Sequence, residues 1–329
     1  MITFAMIRAA DERLAPVVRR TPLLSSPFLD EIAGRKLFVK AENLQHTGSF
    51  KFRGGWSALS ALDAKARKHG VVAFSSGNHA QGVALAASRH GVKAIIIMPD
   101  DAPALKIANT RALGAEVVLH PRNDDLRQAL GQKYSVERGM TLIKPFDDPM
   151  VISGQGTVGL EIADQAKAEG ISRADVLICC GGGGLTSGIA VALAGVAPLL
   201  RPRPVEPEGF DDTGRSLLVG SRQRNASDTG SICDSILTPS PGEITFPILA
   251  RHCGPGMVVS DDEALHAMAL AFLRLKLVLE PGGAVALAAA LFRKDQLQGD
   301  AVIAVASGGN VDAAVFSEAL GRFGMNSSV

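Results

Sequence analysis

The sequence has little of what several large functional classes require. One Trp and one Tyr in 329 residues supply poor stacking platforms for nucleic-acid bases. The formal net charge of +1 offers no electrostatic footprint for a polyanion or an anionic membrane. No apolar run reaches membrane-spanning length, the longest being broken by a glycine cluster. The four cysteines, Cys179, Cys180, Cys233 and Cys253, show neither a Cys-x-x-Cys nor a zinc spacing. Cys179 and Cys180 would face opposite sides of a strand, and buried reduced thiols of a cytoplasmic protein are expected. The N-terminus lacks the layout of a secretory leader and instead opens an amphipathic helix after Thr3, its expected cap. Nucleic acid and membrane drop out as partners, and small-molecule chemistry in the cytoplasm remains.

With 47% hydrophobic and 20% charged residues, the composition is ordinary for a globular protein, and the length suits two domains or one large α/β unit. Apolar runs rich in β-branched residues read as strands at Leu37–Lys40, Val71–Phe74, Ala94–Met98, Val117–Leu119, Val176–Cys180 and Ala301–Val305. Helical patterns lie between them at Asn78–His90, Ala104–Leu113, Asp124–Arg138 and Leu185–Ala197. This βαβ alternation predicts an α/β protein with parallel sheets covered on both faces. Ligands of such sheets sit beyond the strand C-terminal ends. Three polar, glycine-rich stretches begin there, at Ser75, Gly181 and Ser307. The least regular region is 202–255, and its second half around Pro239–Gly242 reads as a long loop shaping or covering a site.

A lysine stands among glycines in Gly48-Ser49-Phe50-Lys51-Phe52-Arg53-Gly54-Gly55, ahead of a helical pattern through Trp56 to Leu62 and Ala64 to His69. Near a helix N-terminus the macrodipole disfavours an ammonium, and a desolvated lysine there becomes a nucleophilic amine. Gly181-Gly182-Gly183-Gly184 follows a buried strand and precedes a helix, which makes an anion cradle of backbone N–H groups. Four successive glycines are too costly in chain entropy for a mere turn. A Walker lysine is missing, and Thr186 or Ser187 stands where a dinucleotide fingerprint needs Gly or Ala. Glu206 falls near the place of a ribose-binding acid, so an NAD-binding oxidoreductase stays as a distant alternative. Pyridoxal phosphate, a monophosphate that carries an aldehyde, accounts for the cradle and Lys51 together.

Further words join these: Lys40-Ala41-Glu42-Asn43-Leu44-Gln45, Ser75-Ser76-Gly77-Asn78-His79-Ala80-Gln81-Gly82, Ile152-Ser153-Gly154-Gln155-Gly156-Thr157, Glu280-Pro281-Gly282-Gly283-Ala284 and Ser307-Gly308-Gly309-Asn310. With the lysine stretch and the four glycines, the chain resembles the fold-type II pyridoxal-phosphate enzymes of the serine/threonine dehydratase family over nearly its whole length. That family includes threonine and serine ammonia-lyases, serine racemases and 3-hydroxyaspartate ammonia-lyases. The resemblance implies two open parallel-sheet α/β lobes, like those of tryptophan synthase β. The large cofactor-binding lobe would be 1–70 and 147–329, and the small inserted one 71–146. It implies a Schiff base at Lys51, Phe50 against the ring, Asn78 on the ring hydroxyl, Gly181 to Leu185 on the phosphate and Ser307 on the pyridine nitrogen. A neutral hydroxyl there makes the ring a weaker electron sink than a carboxylate would, which favours elimination over transamination.

The same resemblance sets the expected reaction: a lyase that removes water from a β-hydroxy amino acid, L-threonine or L-serine, and gives a 2-oxo acid and ammonia. Ser75, Ser76, Asn78 and His79 would hold the substrate, with amides at a helix start suited to its carboxylate. Ser76 stands where serine racemases place a catalytic serine, which keeps racemisation open, whereas Pro145-Phe146-Asp147-Asp148-Pro149 is similar to the dehydratases. Arg127 aligns with a substrate-contacting arginine and could meet the second carboxylate of 3-hydroxyaspartate, although a solvated helix arginine reads equally well. The stretch from Glu206 through Phe210 to Asp212 resembles a divalent-cation loop for Mg or Ca, and an acidic solvated loop is its plain alternative. A homodimer is the family's usual assembly. The chain ends soon after the helix beginning near Asp312, so no regulatory domain of the long biosynthetic threonine deaminases is expected.

Overall fold

The computed structural model describes residues 2–75, 77–102, 104–121 and 124–324, without the side chains of Leu105 and of 124–128. The chain opens with α1 (Phe4–Leu14), whose first turn is capped by the Thr3 hydroxyl accepting from the Met6 N–H at 3.3 Å. Next come β1 (Leu23–Ser25), α2 (Pro27–Ala33), β2 (Lys36–Ala41), α3 (Lys51–Ser60) and α4 (Ala64–His69). The helical pattern after Lys51 is broken after Ser60, because the Asp63 carboxylate accepts from the Ala66 N–H at 2.7 Å and starts a new helix.

The small sheet is built from β3 (Val71–Phe74), β4 (Ala94–Pro99), β5 (Glu116–His120) and β6 (Thr141–Leu142), with α5 (Asn78–His90), α6 (Ala104–Ala112) and α7 (Asp124–Arg138) as crossovers. Its strand order is β5-β4-β3-β6 and every pairing is parallel. A long helix, α8 (Pro149–Ala168), then leads to β7 (Ala174–Cys179), α9 (Gly184–Val196), β8 (Leu200–Pro207) and α10 (Asp212–Val219). The chain closes with α11 (Thr245–His252), β9 (Met257–Val259), α12 (Asp261–Leu275), α13 (Pro281–Phe292), β10 (Ala301–Ala306) and α14 (Ala313–Phe323). The large sheet runs β1-β2-β10-β7-β8-β9, parallel except at β1. Region 202–255 is thus more regular than its composition suggests, since it holds most of β8 and all of α10 and α11. All four cysteines are free thiols, three of them buried. Among the described residues, no helix is long and apolar enough to cross a membrane.

Glycines set how closely the helices around Lys51 approach. A Cβ on Gly82 of α5 would lie 2.8 Å from the Lys51 carbonyl carbon, and one on Gly55 would lie 2.9 Å from the Gly82 carbonyl oxygen. On the other side of α3, a Cβ on Gly154 of α8 would collide with the Arg53 carbonyl. Gly188 of α9 meets Gly156 of α8 just as tightly. The backbones therefore touch along α5–α3–α8–α9, so α3 can hardly shift without its neighbours.

One polar node crosses this stack. Arg53 is fully buried and donates to both Glu42 oxygens at 2.8 Å, to Glu161 Oε1 at 2.8 Å and to Thr157 Oγ1 at 3.1 Å. Lys40, equally buried, donates to Glu161 Oε2 at 2.5 Å, the Thr21 carbonyl at 2.7 Å and Gln165 Oε1 at 2.9 Å. Burial works against the Arg53 charge, but the facing Glu42 and Glu161 carboxylates outweigh it and push the guanidinium further up. Glu161 is likewise held below the usual carboxylate range, burial being offset by Arg53 and Lys40. Replacing Arg53 by Met leaves buried Glu161 with Lys40 and buried Glu42 with the Thr21 hydroxyl. A stability loss of about 3–5 kcal/mol is expected by urea unfolding, the cost of stranding a buried charge. A loss below about 1 kcal/mol would mean the carboxylates find water instead.

Candidate active site

Lys51 is the first residue of α3, reached through a turn that the sequence makes awkward. Thr47 has a φ of 59° and Gly48 a φ of 74°, a conformation that Gly tolerates and Thr does not favour. The strain is held by backbone bonds to the segment after β10: Phe50 N–H donates to the Ser307 carbonyl at 3.2 Å, and Gly309 N–H to the Gly48 carbonyl at 2.9 Å. Ser49 and Gly308 form a β-bridge between the two. Phe50, Lys51 and Ser307 are therefore fixed relative to one another by main chain alone. The Lys51 ammonium donates to the Pro145 carbonyl at 2.9 Å and stands 5.2 Å from the centre of the Phe50 ring. Burial lowers its pKa from 10.5 to about 8, against a smaller opposing pull from Glu280.

The next residue, Phe146, connects this amine to the glycine turn. A Cβ on Gly182 would overlap the Phe146 ring, and one on Gly184 would lie 3.0 Å from Phe146 Cα. Gly183 has a φ of 88° and sits where a Cβ would be 2.8 Å from Leu249. The turn is anchored by its carbonyls: Gly182 accepts from Thr245 Oγ1 at 2.7 Å and from the Gly242 N–H at 3.2 Å. The loop around Pro239–Gly242 thus packs on the turn, and Asp147 holds that loop by accepting from the Glu243, Ile244 and Thr245 N–H groups at 3.2, 2.8 and 3.3 Å. Leu185, buried behind the turn, is the second residue of α9. The first N–H groups of α9 have no acceptor within the helix.

Asn78 opens α5 and is tied on both sides. Its Nδ2 donates to Glu280 Oε1 at 2.5 Å, and its Oδ1 accepts from Asn310 Nδ2 at 2.6 Å, which also donates to the Thr47 carbonyl at 2.8 Å. Ser307 is buried at the end of β10, and its N–H donates to the Gly283 carbonyl at 3.3 Å. His79 is buried, with Nε2 donating to the Ile143 carbonyl at 3.0 Å and Nδ1 without a partner. Burial, and then the charge of Lys51, lower its pKa to about 3, so the imidazole is neutral. Ser75 accepts at Oγ from the Gly77 N–H at 3.2 Å. Ser76 and the side chain of Arg127 lie outside the described residues.

Glu206 and Asp212 stand apart from this group. Both Glu206 oxygens accept backbone N–H groups, from Thr213 and Gly214 at 2.8 Å each. Asp212 Oδ1 accepts from Asn225 at 2.6 Å, which leaves Oδ2 as a buried oxygen with no partner. Phe210 is buried beside them, its N–H donating to the Pro207 carbonyl. Among the described residues no three His, Cys, Asp or Glu side chains stand together, so Mg or Ca at this loop would rest on the two carboxylates, the Phe210 carbonyl and water.

Two residues of the site were not among those picked out as site residues in the sequence. Glu280 is one. The other is Gln155, fully buried, with both ends of its carboxamide unpartnered, Nε2 beside Gly54 and Oε1 beside Gly184. It lies between the helix that carries Lys51 and the helix that carries the glycine turn. A polar residue flanked by two glycines in the first half of α8 is the available signal.

The sequence matches the family described as pyridoxal-phosphate dependent enzymes over residues 14–308. It is 44% identical to the L-threo-3-hydroxyaspartate ammonia-lyase of a Pseudomonas species over 93% of this chain and 94% of the relative. The L-threonine ammonia-lyase of Thermotoga maritima is 39% identical over 95% of this chain and 76% of the relative. Among solved structures, serine racemase from Dictyostelium discoideum superposes with a TM-score of 0.88 at 36% identity, covering 94% of this chain and 99% of that one.

The lowered Lys51 pKa has a direct consequence. Below about pH 8 the amine carries its proton and is inert, and above it the free amine attacks carbonyls. In the cofactor-free protein, the rate of imine formation with pyridoxal, followed by stopped-flow absorbance, is expected to rise with pH to a plateau with its midpoint near 8. A midpoint near the ordinary 10.5, or a Lys51→Ala variant with the same profile, would contradict the assignment.

Proposed function

The chain belongs to the pyridoxal-phosphate dependent enzymes, and from that premise we propose that it is an ammonia-lyase that eliminates water from a β-hydroxy amino acid. The observation that carries this reading is the Pro145-Phe146 pair. The Pro145 carbonyl holds the Lys51 amine, and the Phe146 ring covers the anion-binding glycine turn. Amine and cradle are thereby placed one residue apart.

The residues present fit the cofactor. A side chain at Gly182 or Gly184 would clash with Phe146, the buried Gln155 amide at that turn lacks partners, and the Lys51 amine is poised near neutrality. Lys51 would be the covalent attachment point, Phe50 would flank the ring, the N–H groups of Gly181 to Leu185 would take the phosphate, Asn78 the ring oxygen and Ser307 the ring nitrogen. When bound, the cofactor withdraws electron density from the amino acid's Cα and so acidifies its proton.

The chain's own groups then account for the rest. Lys51 Nζ, uncharged above about pH 8, accepts the Cα proton as general base. The N–H groups that open α5 at Asn78 and His79 hold the substrate carboxylate, where no side chain needs to carry charge. The Ser307 hydroxyl can share a hydrogen bond with the ring nitrogen but cannot, as a carboxylate would, keep it protonated. That limits how far negative charge is drawn away from Cα and favours departure of the β-hydroxyl over return of a proton. The net conversion takes the hydroxy amino acid to a 2-oxo acid and ammonia.

L-Threonine and L-serine are the proposed substrates. L-threo-3-hydroxyaspartate is the second reading, favoured by the 44% identity to a lyase of that name. A homodimer belongs to the same proposal, with the exposed Leu218 and Val219 at the end of α10 offering apolar surface for it. The holoenzyme is expected to release 2-oxo acid from at least one of L-threonine, L-serine and the 3-hydroxyaspartate isomers, and Lys51→Ala to abolish the release. Inverted serine without oxo acid, found by chiral analysis of the remaining substrate, would establish a racemase instead. No conversion of any of them would overturn the reading.

A further inference from the structure

Glu280 occupies the position just before α13 and makes no capping hydrogen bond to that helix. Its carboxylate turns inward and is buried. The backbone passes it so closely at Gly308 that any Cβ there would overlap Oε1. A buried carboxylate left to itself would cost several kcal/mol, so its partner matters. That partner is Asn78 Nδ2 at 2.5 Å.

The bond fixes more than a distance. A carboxamide can be turned by half a revolution at little steric cost, exchanging its donor and acceptor ends. Here the two neighbours forbid the exchange. Glu280 is an acceptor and faces Nδ2, while Asn310 Nδ2, a donor anchored on the Thr47 carbonyl, faces Oδ1. With one N–H of Asn78 given to Glu280, the second is directed elsewhere by the planar geometry of the amide.

We propose that Glu280 is a positioning residue that locks the Asn78 carboxamide so that its remaining N–H points at the ring oxygen of the bound cofactor. This rests on the reading that Asn78 is a cofactor ligand. The groups whose charge acts on Glu280 are Lys51 from α3, Lys106 from α6 and Asp234 from the turn at 234–236, which packs beside Gly282. Burial raises the Glu280 pKa to about 7, partly countered by the Asn78 bond. Protonation would not remove the lock, because a carboxylic acid keeps an acceptor oxygen.

The test uses the holoenzyme and reads cofactor dissociation and the visible absorbance of the bound cofactor, both independent of turnover. Glu280→Leu is expected to weaken cofactor binding about tenfold, the scale of one lost hydrogen bond to a charged group, and to shift the absorbance maximum. Asn78→Ala should do the same, and the double variant should be no worse than either single one, since both remove one interaction. Glu280→Gln keeps an acceptor oxygen and should restore the wild-type spectrum. Glu280→Ala carries the same comparison if leucine does not fit beside Gly308. Losses that multiply in the double variant, or an unchanged spectrum in Glu280→Leu and Glu280→Ala, would overturn the proposal while leaving Asn78 a ligand. An Asn78→Ala protein that binds the cofactor as the wild type does would overturn the reading beneath it as well.

Discussion

The Arg53 guanidinium and its two carboxylates fix where Lys51 stands. Arg53 lies two residues beyond Lys51 on the same helix and grips Glu42, which follows β2, and Glu161, in the middle of α8. Replacing such a buried cluster by well-packed apolar side chains is often neutral or favourable to stability, so stability alone is a poor reason for it. Its geometry is more informative. A planar fork with bidentate and single partners permits one rotation of α3 about its axis and one depth along α8. The glycine contacts with α5 and α8 permit close approach, and the charged fork selects one register within it.

From that register the chemistry of the site follows by short steps. Lys51 is the first residue of α3, and its amine is buried out of bulk water. Burial disfavours the ammonium and brings the pKa of this amine to about 8. The strained Thr47-Gly48 turn places Phe50 and Ser307 in a two-residue backbone ladder, so the flank of the site and the end of β10 are set by main-chain bonds rather than by side-chain packing.

How much of this could be read from the chain alone depended on the range of the interaction. The three strand-to-loop junctions at Ser75, Gly181 and Ser307 follow from local patterning and fall at the ends of β3, β7 and β10. Lys51 at a helix start and the glycine turn ahead of α9 were legible for the same reason. The stop after Ser60 was not, because it depends on whether Asp63 caps a new helix or faces solvent. The Arg53 partners were also hidden: Glu161 is 108 residues away, and nothing in an isolated arginine announces a buried fork. Glu280 escaped because its sequence context, a residue before the proline that opens a helix, is that of an ordinary helix start. Only the inward turn of its carboxylate shows otherwise.

Desolvation acts in one sense on Lys51, His79 and Glu280. It lowers Lys51, lowers His79 and raises Glu280, so each moves toward its uncharged form. The fixed electrostatics of the site are then left to the N–H groups at the starts of α5 and α9, which do not titrate. Under the proposed function, anion holding and proton transfer are thereby separated. The backbone supplies the first at any pH at which the chain is folded, and Lys51 is free to gain and lose a proton without disturbing it. A site that held its anions with lysines or arginines would raise the local positive potential and depress the amine further, coupling the two tasks. Backbone N–H groups carry no titrating charge, which gives a physical reason for their place beside Lys51.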